Sequence, residues 1–151
     1  MSESTSIAAA GQATPALPER HIPFLDKIGM RRVRVGGGEA VVTLDLQPDL
    51  LNNHGGGHGG VVMTLLDSAM ANAALSRIDF AREVVTIDMH IGFMRPATGR
   101  LEATGRATGG GRSVCFCEAD VADADGRVVA RAMGTFRYRE PGGEHVNEAP
   151  G

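Results

Sequence analysis

Much of what would mark a specialised role is missing from this chain of 151 residues. It has no long run of like charge, and its formal net charge of −3 comes from mixed acidic and basic residues, which leaves no electrostatic footprint for nucleic acid. No stretch reaches the ~18 apolar residues of a membrane span. The segment Met1 to Gln12 has neither a basic n-region nor an apolar h-region, so it does not read as a secretory signal. Cysteine occurs only as Cys115 and Cys117. On a strand both would point to one face roughly 7 Å apart, too far for an unstrained disulfide, which predicts reduced core thiols in a cytoplasmic protein. No internal repeat is visible. The glycine run 109–111 lacks the Gly-x-Gly-x-x-Gly pattern opening a helix, so it reads as a turn and not as a nucleotide-binding loop.

What the chain does have is glycine, 21 residues of it, with 42% hydrophobic and 22% charged residues. The length suits one core burying roughly two thirds of the unfolded surface, and the glycine excess points to the tight turns of a small β-rich domain. Residues 1–17, rich in Ser, Ala, Thr and Pro, are expected to form a disordered leader, 18–139 the folded domain and 140–151 a flexible C-terminal tail. A short helix is predicted over Pro18 to Ile28, with Ile22, Phe24, Leu25 and Ile28 as its apolar contacts. Met30 to Val35 and Ala40 to Leu46 flank Gly36-Gly37-Gly38-Glu39 as a hairpin. A helix over Gly59 to Ser76 follows, then strands over Val84 to Met94, Arg100 to Thr108, Ser113 to Ala122 and Arg127 to Arg139, separated by turn-forming residues. With no strand–helix–strand alternation, the expected class is α+β, one long helix among antiparallel strands.

The most informative segment is Leu51-Asn52-Asn53-His54-Gly55-Gly56-Gly57-His58-Gly59-Gly60, which runs directly into the long helix. A helix N-terminus presents unused N–H groups and a positive dipole end, suited to a carbonyl oxygen or an anion. Within that helix Thr64, Asp67, Ser68 and Asn72 form one narrow polar stripe on an otherwise apolar surface, and the alanines at 69, 71, 73 and 74 allow another backbone to approach closely. A carboxylate there is costly to bury; it serves either function or an ion pair with a neighbouring cation. Gly59 and Asp67 are separated by roughly 12 Å of axial rise. A reacting carbon needs its oxyanion donor and its base or nucleophile within about 3 Å or one bridging water. One helix therefore cannot serve one carbonyl with both, and joint action demands two chains related by a two-fold axis.

The residues Asn52-x-x-Gly55-x-x-His58-Gly59-Gly60-x-x-x-x-Leu65-x-Asp67 resemble the signature of hotdog-fold acyl-CoA thioesterases, specifically the phenylacetyl-CoA thioesterase-like (PaaI-like) branch. The similarity continues through Val85 to Pro96 and Gly126 to Ala132 and covers about residues 20 to 139. The resemblance implies a long helix wrapped by a curved antiparallel sheet, homodimers with a continuous sheet that often pair into homotetramers, and hydrolysis of a CoA thioester without a cofactor. It places the oxyanion donor at the Gly59 amide and the general base or nucleophile at Asp67. Asn52 falls at the position that orients the nucleophile or water, His58 at a supporting hydrogen bond and Thr86 at a hydroxyl directing the water. Gly56-Gly57 stands where bulkier residues are common and predicts a more mobile loop; Asn53-His54 duplicates the polar character beside Asn52.

Around these lie Gly60, Ser68, His90, Arg95 and Arg112 as candidate substrate-binding residues. On an alternating strand His90 shares a face with Thr86 and Asp88, and Arg95, Arg106 and Arg112 stand near strand ends where guanidinium groups suit CoA phosphates. His54 and His58 lack a third protein ligand, so no metal is expected. The leading expectation is hydrolysis of an aromatic or medium-chain acyl-CoA. The alternatives are an acyl-CoA sensor without turnover and a hotdog dehydratase of β-hydroxyacyl thioesters.

Overall fold

The computed structural model describes residues 19–142. The expected leader over residues 1–17, and all but the start of the expected tail over residues 140–151, lie outside them. The elements run α1 (Pro23–Ile28), β1 (Arg31–Gly36), β2 (Glu39–Asp45), a 3₁₀ turn (Pro48–Leu50), α2 (Gly59–Ser76), β3 (Glu83–Phe93), β4 (Arg100–Gly110), β5 (Val114–Ala122) and β6 (Val128–Arg139). The strands form one six-stranded sheet in the order β1-β2-β4-β5-β6-β3. Every pairing is antiparallel. All the strands touch α2, which lies across the concave face. This is the helix-in-sheet α+β arrangement that the sequence predicts.

Helix α1 starts later than the expected Pro18. Pro23 sits at its first turn, where the fixed φ and missing N–H cost nothing, and Gly29 ends it in the left-handed conformation at φ 79°. Ile22 is the N-cap, in extended conformation ahead of the first turn, and within the helix Leu25 and Ile28, three apart, share a face that Phe24 does not. Ile28 is buried and Leu25 packs against the core, whereas Ile22 and Phe24, expected as contacts, are exposed.

The core forms between α2 and the inner face of the sheet. Leu65, Leu66 and Met70 meet Val42, Leu44, Leu101, Val121, Val129 and Phe136. Along β5, along β4 as far as Gly105 and along β6 from Ala130, every second residue is buried, as expected for strands with one face inward. Where α2 crosses closest, the inner residues shrink to Ala103, Gly105, Ala119 and Ala132. A Cβ on Gly105 would lie 2.4 Å from the Ala69 carbonyl carbon and oxygen. Of the alanines predicted to admit another backbone, Ala69 does so for β4 of the same chain, whereas Ala71 lines a cavity on the other side of the helix. Two polar contacts tie the far end of α2. Ser76 Oγ accepts from the Gly38 amide at 3.0 Å, and Tyr138 Oη donates to the Ala74 carbonyl at 2.9 Å. Cys115 and Cys117 face inward on β5 as free thiols with Sγ atoms 3.7 Å apart, and burial pushes the Cys117 thiol up.

Gly105→Ala therefore drives a methyl group into α2 backbone and should cost on the order of 2 kcal/mol. That corresponds to a fall in Tm of roughly 4–8 °C in a domain of this size. Gly111, with no atom within 4 Å of an added Cβ, is the control. Gly111→Ala should stay within about 0.5 kcal/mol in the same thermal melts, and equal effects at the two positions would refute the close-approach account.

Candidate active site

The glycine loop is built around Asn52. Its Oδ1 accepts from the His54 amide at 2.9 Å and the Gly56 amide at 3.2 Å, while its own amide donates to the Gly56 carbonyl at 2.7 Å. This is an Asx-type closure in which the side chain replaces backbone partners. Gly57 donates to the Ala97 carbonyl at 2.8 Å, and His58 to the Leu50 carbonyl at 2.9 Å. An added Cβ on Gly57 would lie 3.0 Å from Leu46 and 3.2 Å from Ala97. Gly56 and Gly57 are both buried, so the loop expected to be mobile is packed beneath Pro96-Ala97. Asn52 does this organising; Asn53 is exposed and takes no part in it.

At the start of α2, His58 is the N-cap. Its Nδ1 accepts from the Gly60 amide at 2.9 Å, and its carbonyl accepts from the amides of Val61 and Val62. Of the first helical amides that leaves Gly59, whose N–H donates to nothing among the described residues. Gly59 lines a cavity of about 370 Å³ with Asn52, Phe93, Arg95 and Pro96. An available N–H at the positive end of a helix, facing a cavity, is the geometry that stabilises a developing oxyanion. Phe93, not singled out in the sequence, covers this point: its ring lies 3.7 Å from where a Gly59 Cβ would be.

The polar stripe continues two turns along. Thr64 Oγ1 donates to the Gly60 carbonyl and Asn72 Nδ2 to the Ser68 carbonyl, both at 2.8 Å, so these two side chains are satisfied within the helix. Asp67 is not. It is half-buried, and its Oδ1 accepts from Thr86 Oγ1 of β3 at 2.6 Å, while Oδ2 takes no hydrogen bond among the described residues. Asp67, Ser68 and Asn72 open onto a second cavity, of about 710 Å³, walled by α1, β1 and the start of β3. Within one chain, Gly59 and Asp67 thus belong to different cavities.

Thr86 reaches Asp67, but His90 does not share its side of the strand. The β3–β6 register pairs Thr86 with Phe136 and then Asp88 with Thr135, so Ile87 is an extra residue, a β-bulge. Beyond it the inward set becomes Met89, Ile91 and Phe93, opposite Gly134, Ala132 and Ala130. His90 pairs with Met133 on the outer face and lines a hollow with Glu118 and Arg131. Simple alternation placed it wrongly because a bulge reverses every side chain after it.

Arg95 donates to the Val128 carbonyl at 2.6 Å and borders the Gly59 cavity. Arg106 is committed to Asp120 at 3.3 Å on the outer face. Arg112 is exposed at the β4–β5 turn, where its carbonyl accepts from Arg82. Among the described residues no group of three or more His, Cys, Asp or Glu side chains is placed to hold a metal ion. Nor is any described helix long and apolar enough to cross a membrane.

Residues 54–130 match the profile of the thioesterase superfamily. A candidate esterase of Halobacterium salinarum is 38% identical over 99 residues, 58% of this chain and 66%, just under two thirds, of that protein. A solved structure of a conserved protein from Pseudomonas aeruginosa superposes with a TM-score of 0.75 at 31% identity, covering 79% of this chain and 95% of the other. The E. coli PaaI protein from the phenylacetic acid degradation operon superposes with a TM-score of 0.72 at 25% identity, over 77% of this chain and 83% of that one.

The loop geometry separates two roles of Asn52. Asn52→Ala removes the acceptor for two loop amides and should cost about 1–3 kcal/mol in denaturant unfolding. Asn52→Asp keeps that acceptor and loses only Nδ2, so its stability should remain near wild type. Equal losses in the two variants would mean that the Oδ1 contacts do not hold the loop.

Proposed function

The chain belongs to the thioesterase superfamily, and from that premise we propose that it hydrolyses the thioester of an aromatic or medium-chain acyl-CoA to free acid and CoA. The observation that carries the reading is the accounting of amides at the start of α2, where His58 consumes its neighbours and leaves the Gly59 N–H unused beside a cavity. In the proposed reaction the thioester oxygen lies on that N–H. Asp67 activates water or attacks the carbonyl carbon, Thr86 orients the carboxylate, and Asn52 Nδ2 orients the attacking group. A thioester lacks the resonance of an amide and releases a good leaving group, so one polarising amide, worth about 3 kcal/mol in other enzymes, and one carboxylate suffice. Arg95 at the Gly59 cavity and Arg112 at the β4–β5 turn are proposed contacts for the CoA phosphates.

Because Gly59 and Asp67 face different cavities, each proposed site joins Gly59 of one chain to Asp67 of another. Strand β3 supports this arrangement. It ends the sheet with one edge unpaired, and Val85, Ile87, Phe93 and Met94 on or beside it are exposed. An edge of this kind pairs readily with a second copy. The proposed unit is a homodimer with a continuous sheet, paired further into a homotetramer. The adjacent thiols of Cys115 and Cys117 support a cytoplasmic setting.

Incubation with a panel of acyl-CoAs and a thiol reagent should release CoA, and Asp67→Asn should lower kcat/KM by roughly 10²-fold or more with the fold unchanged. Equal turnover by both proteins would rule out Asp67; binding of acyl-CoA with no released thiol would indicate a sensor, and an enoyl product a dehydratase. The shared site has its own test. Gly59→Pro removes the amide proton while keeping a residue tolerated at the first helical position. Mixed with Asp67→Asn chains, it should recover activity that neither parent possesses. Verified heterodimers that stay inactive would overturn the sharing.

A further inference from the structure

Gly59, Met63 and Asp67 follow one another at intervals of four and so stand on one face of α2. The outer two are the halves of the proposed site. Between them, Met63 alone among the described residues of α2 is exposed, at 46%, although the leucines and the other methionine of that helix are buried. Both ends of this face abut β3, the end strand of the sheet. The Phe93 ring lies against Gly59, and Thr86 donates to Asp67. The face that carries Met63 therefore runs alongside the unpaired edge.

We infer that α2 packs against α2 of a second copy about a two-fold axis at Met63, so that each Met63 meets its own counterpart and one composite site lies on either side. This rests on the shared thioesterase site proposed above and deepens it by fixing the register. In antiparallel helices related by a two-fold axis, residues level with each other are displaced equally from the axis in opposite directions. Setting the Gly59 amide level with the second copy's Asp67 puts the axis halfway between residues 59 and 67. Side chains lean toward the helix N-terminus by about one position, and that of Met63 leans with that of Asp67. Val62 is buried in the core, so Met63 is the residue that faces a neighbour at this level. Charge favours the same register. Each Asp67 carboxylate comes to the positive end of the other chain's helix, and the antiparallel helices oppose their dipoles. The same axis lets β3 extend the sheet across its open edge. At the centre the two thioethers, unbranched and flexible, adapt to a self-contact and keep the two sites apart.

The test is cross-linking in the full chain. Met63→Cys treated with a short bis-maleimide should give a covalent dimer that turns over its best acyl-CoA within about threefold of the untreated variant. Ala71→Cys is the control. It lies on the same face about two turns further on, so its two copies are roughly 24 Å apart along the helices and should not join. Wild-type Cys115 and Cys117 are buried and should add no background. Charge gives a second reading that needs no reagent. Met63→Glu and Met63→Lys should each shift the protein toward monomer in sedimentation and lose about tenfold or more in kcat/KM, because like charges then face each other, and mixing the two should restore both properties. Only a residue that meets its own copy shows that pattern. Equal cross-linking at 63 and 71, a covalent Met63→Cys dimer that loses the activity of its untreated form, or charge variants that stay dimeric and active would each overturn the register. Release of CoA from no acyl-CoA would sink the thioesterase reading, which the cross-linking pattern does not use. Release of CoA with no cross-link at 63 sinks only the register.

Discussion

The contact between Ala69 on α2 and Gly105 on β4 sets the position of everything else. A helix of 18 residues can be wrapped by a single sheet only if backbone meets backbone somewhere, and here the inner face has thinned to glycine and alanine where they cross. That approach fixes the rotation of α2 about its axis. With Leu65, Leu66 and Met70 turned into the core, the stripe of Asp67, Ser68 and Asn72 is turned toward β1 and β3, not into the apolar interior. The acid is thus half-buried against a hydroxyl instead of stranded, which keeps its desolvation cost modest.

The same helix explains why one chain holds two incomplete halves. Its N-terminus offers an amide and its third turn a carboxylate, but a rigid rod with ~1.5 Å of rise per residue keeps them apart whatever the loops do. Loop rearrangement could bring other groups nearer; it could not shorten the helix. The sheet adds its own separation, with Phe93 and Pro96 bordering one cavity and α1 and β1 bordering the other. A second copy is the economical way to bring one amide to one carboxylate, and the unpaired β3 edge lies beside both cavities.

Much of this is legible in the sequence because it depends on local periodicity. The bounds of α2 are those its apolar pattern and N-cap imply, and each strand lies within two residues of its predicted ends. The gap between Gly59 and Asp67 follows from the same reasoning, whereas Thr86 is implied only by the family resemblance, and its contact with Asp67 is seen in the structure. What escaped depends on partners distant in sequence. The burial of Gly56 and Gly57 is decided by Leu46 and Ala97. The 3₁₀ turn Pro48–Leu50 is a connector without apolar pattern. Arg32 faces inward because of its pairing with Val42, whereas a run of arginines at 31, 32 and 34 read alone suggests only a solvated strand.

The bulge at Ile87 is the most instructive of these, because it answers a conflict within β3. Strict alternation from Thr86 would turn Asp88, His90 and Gly92 inward. That would set a second carboxylate close to Asp67 on the inner face and leave a glycine over Gly59. With one residue inserted, Thr86 still faces Asp67, yet Phe93 now covers the start of α2 and Asp88 and His90 leave for the outer face. A like charge close to Asp67 would raise the cost of its ionised form, so removing Asp88 preserves the carboxylate that the chemistry needs. One inserted residue thereby serves the oxyanion end and the acid end together, although they lie in separate cavities. A bulge at this place also twists an exposed edge, which limits indiscriminate strand pairing while leaving a matched second copy free to dock.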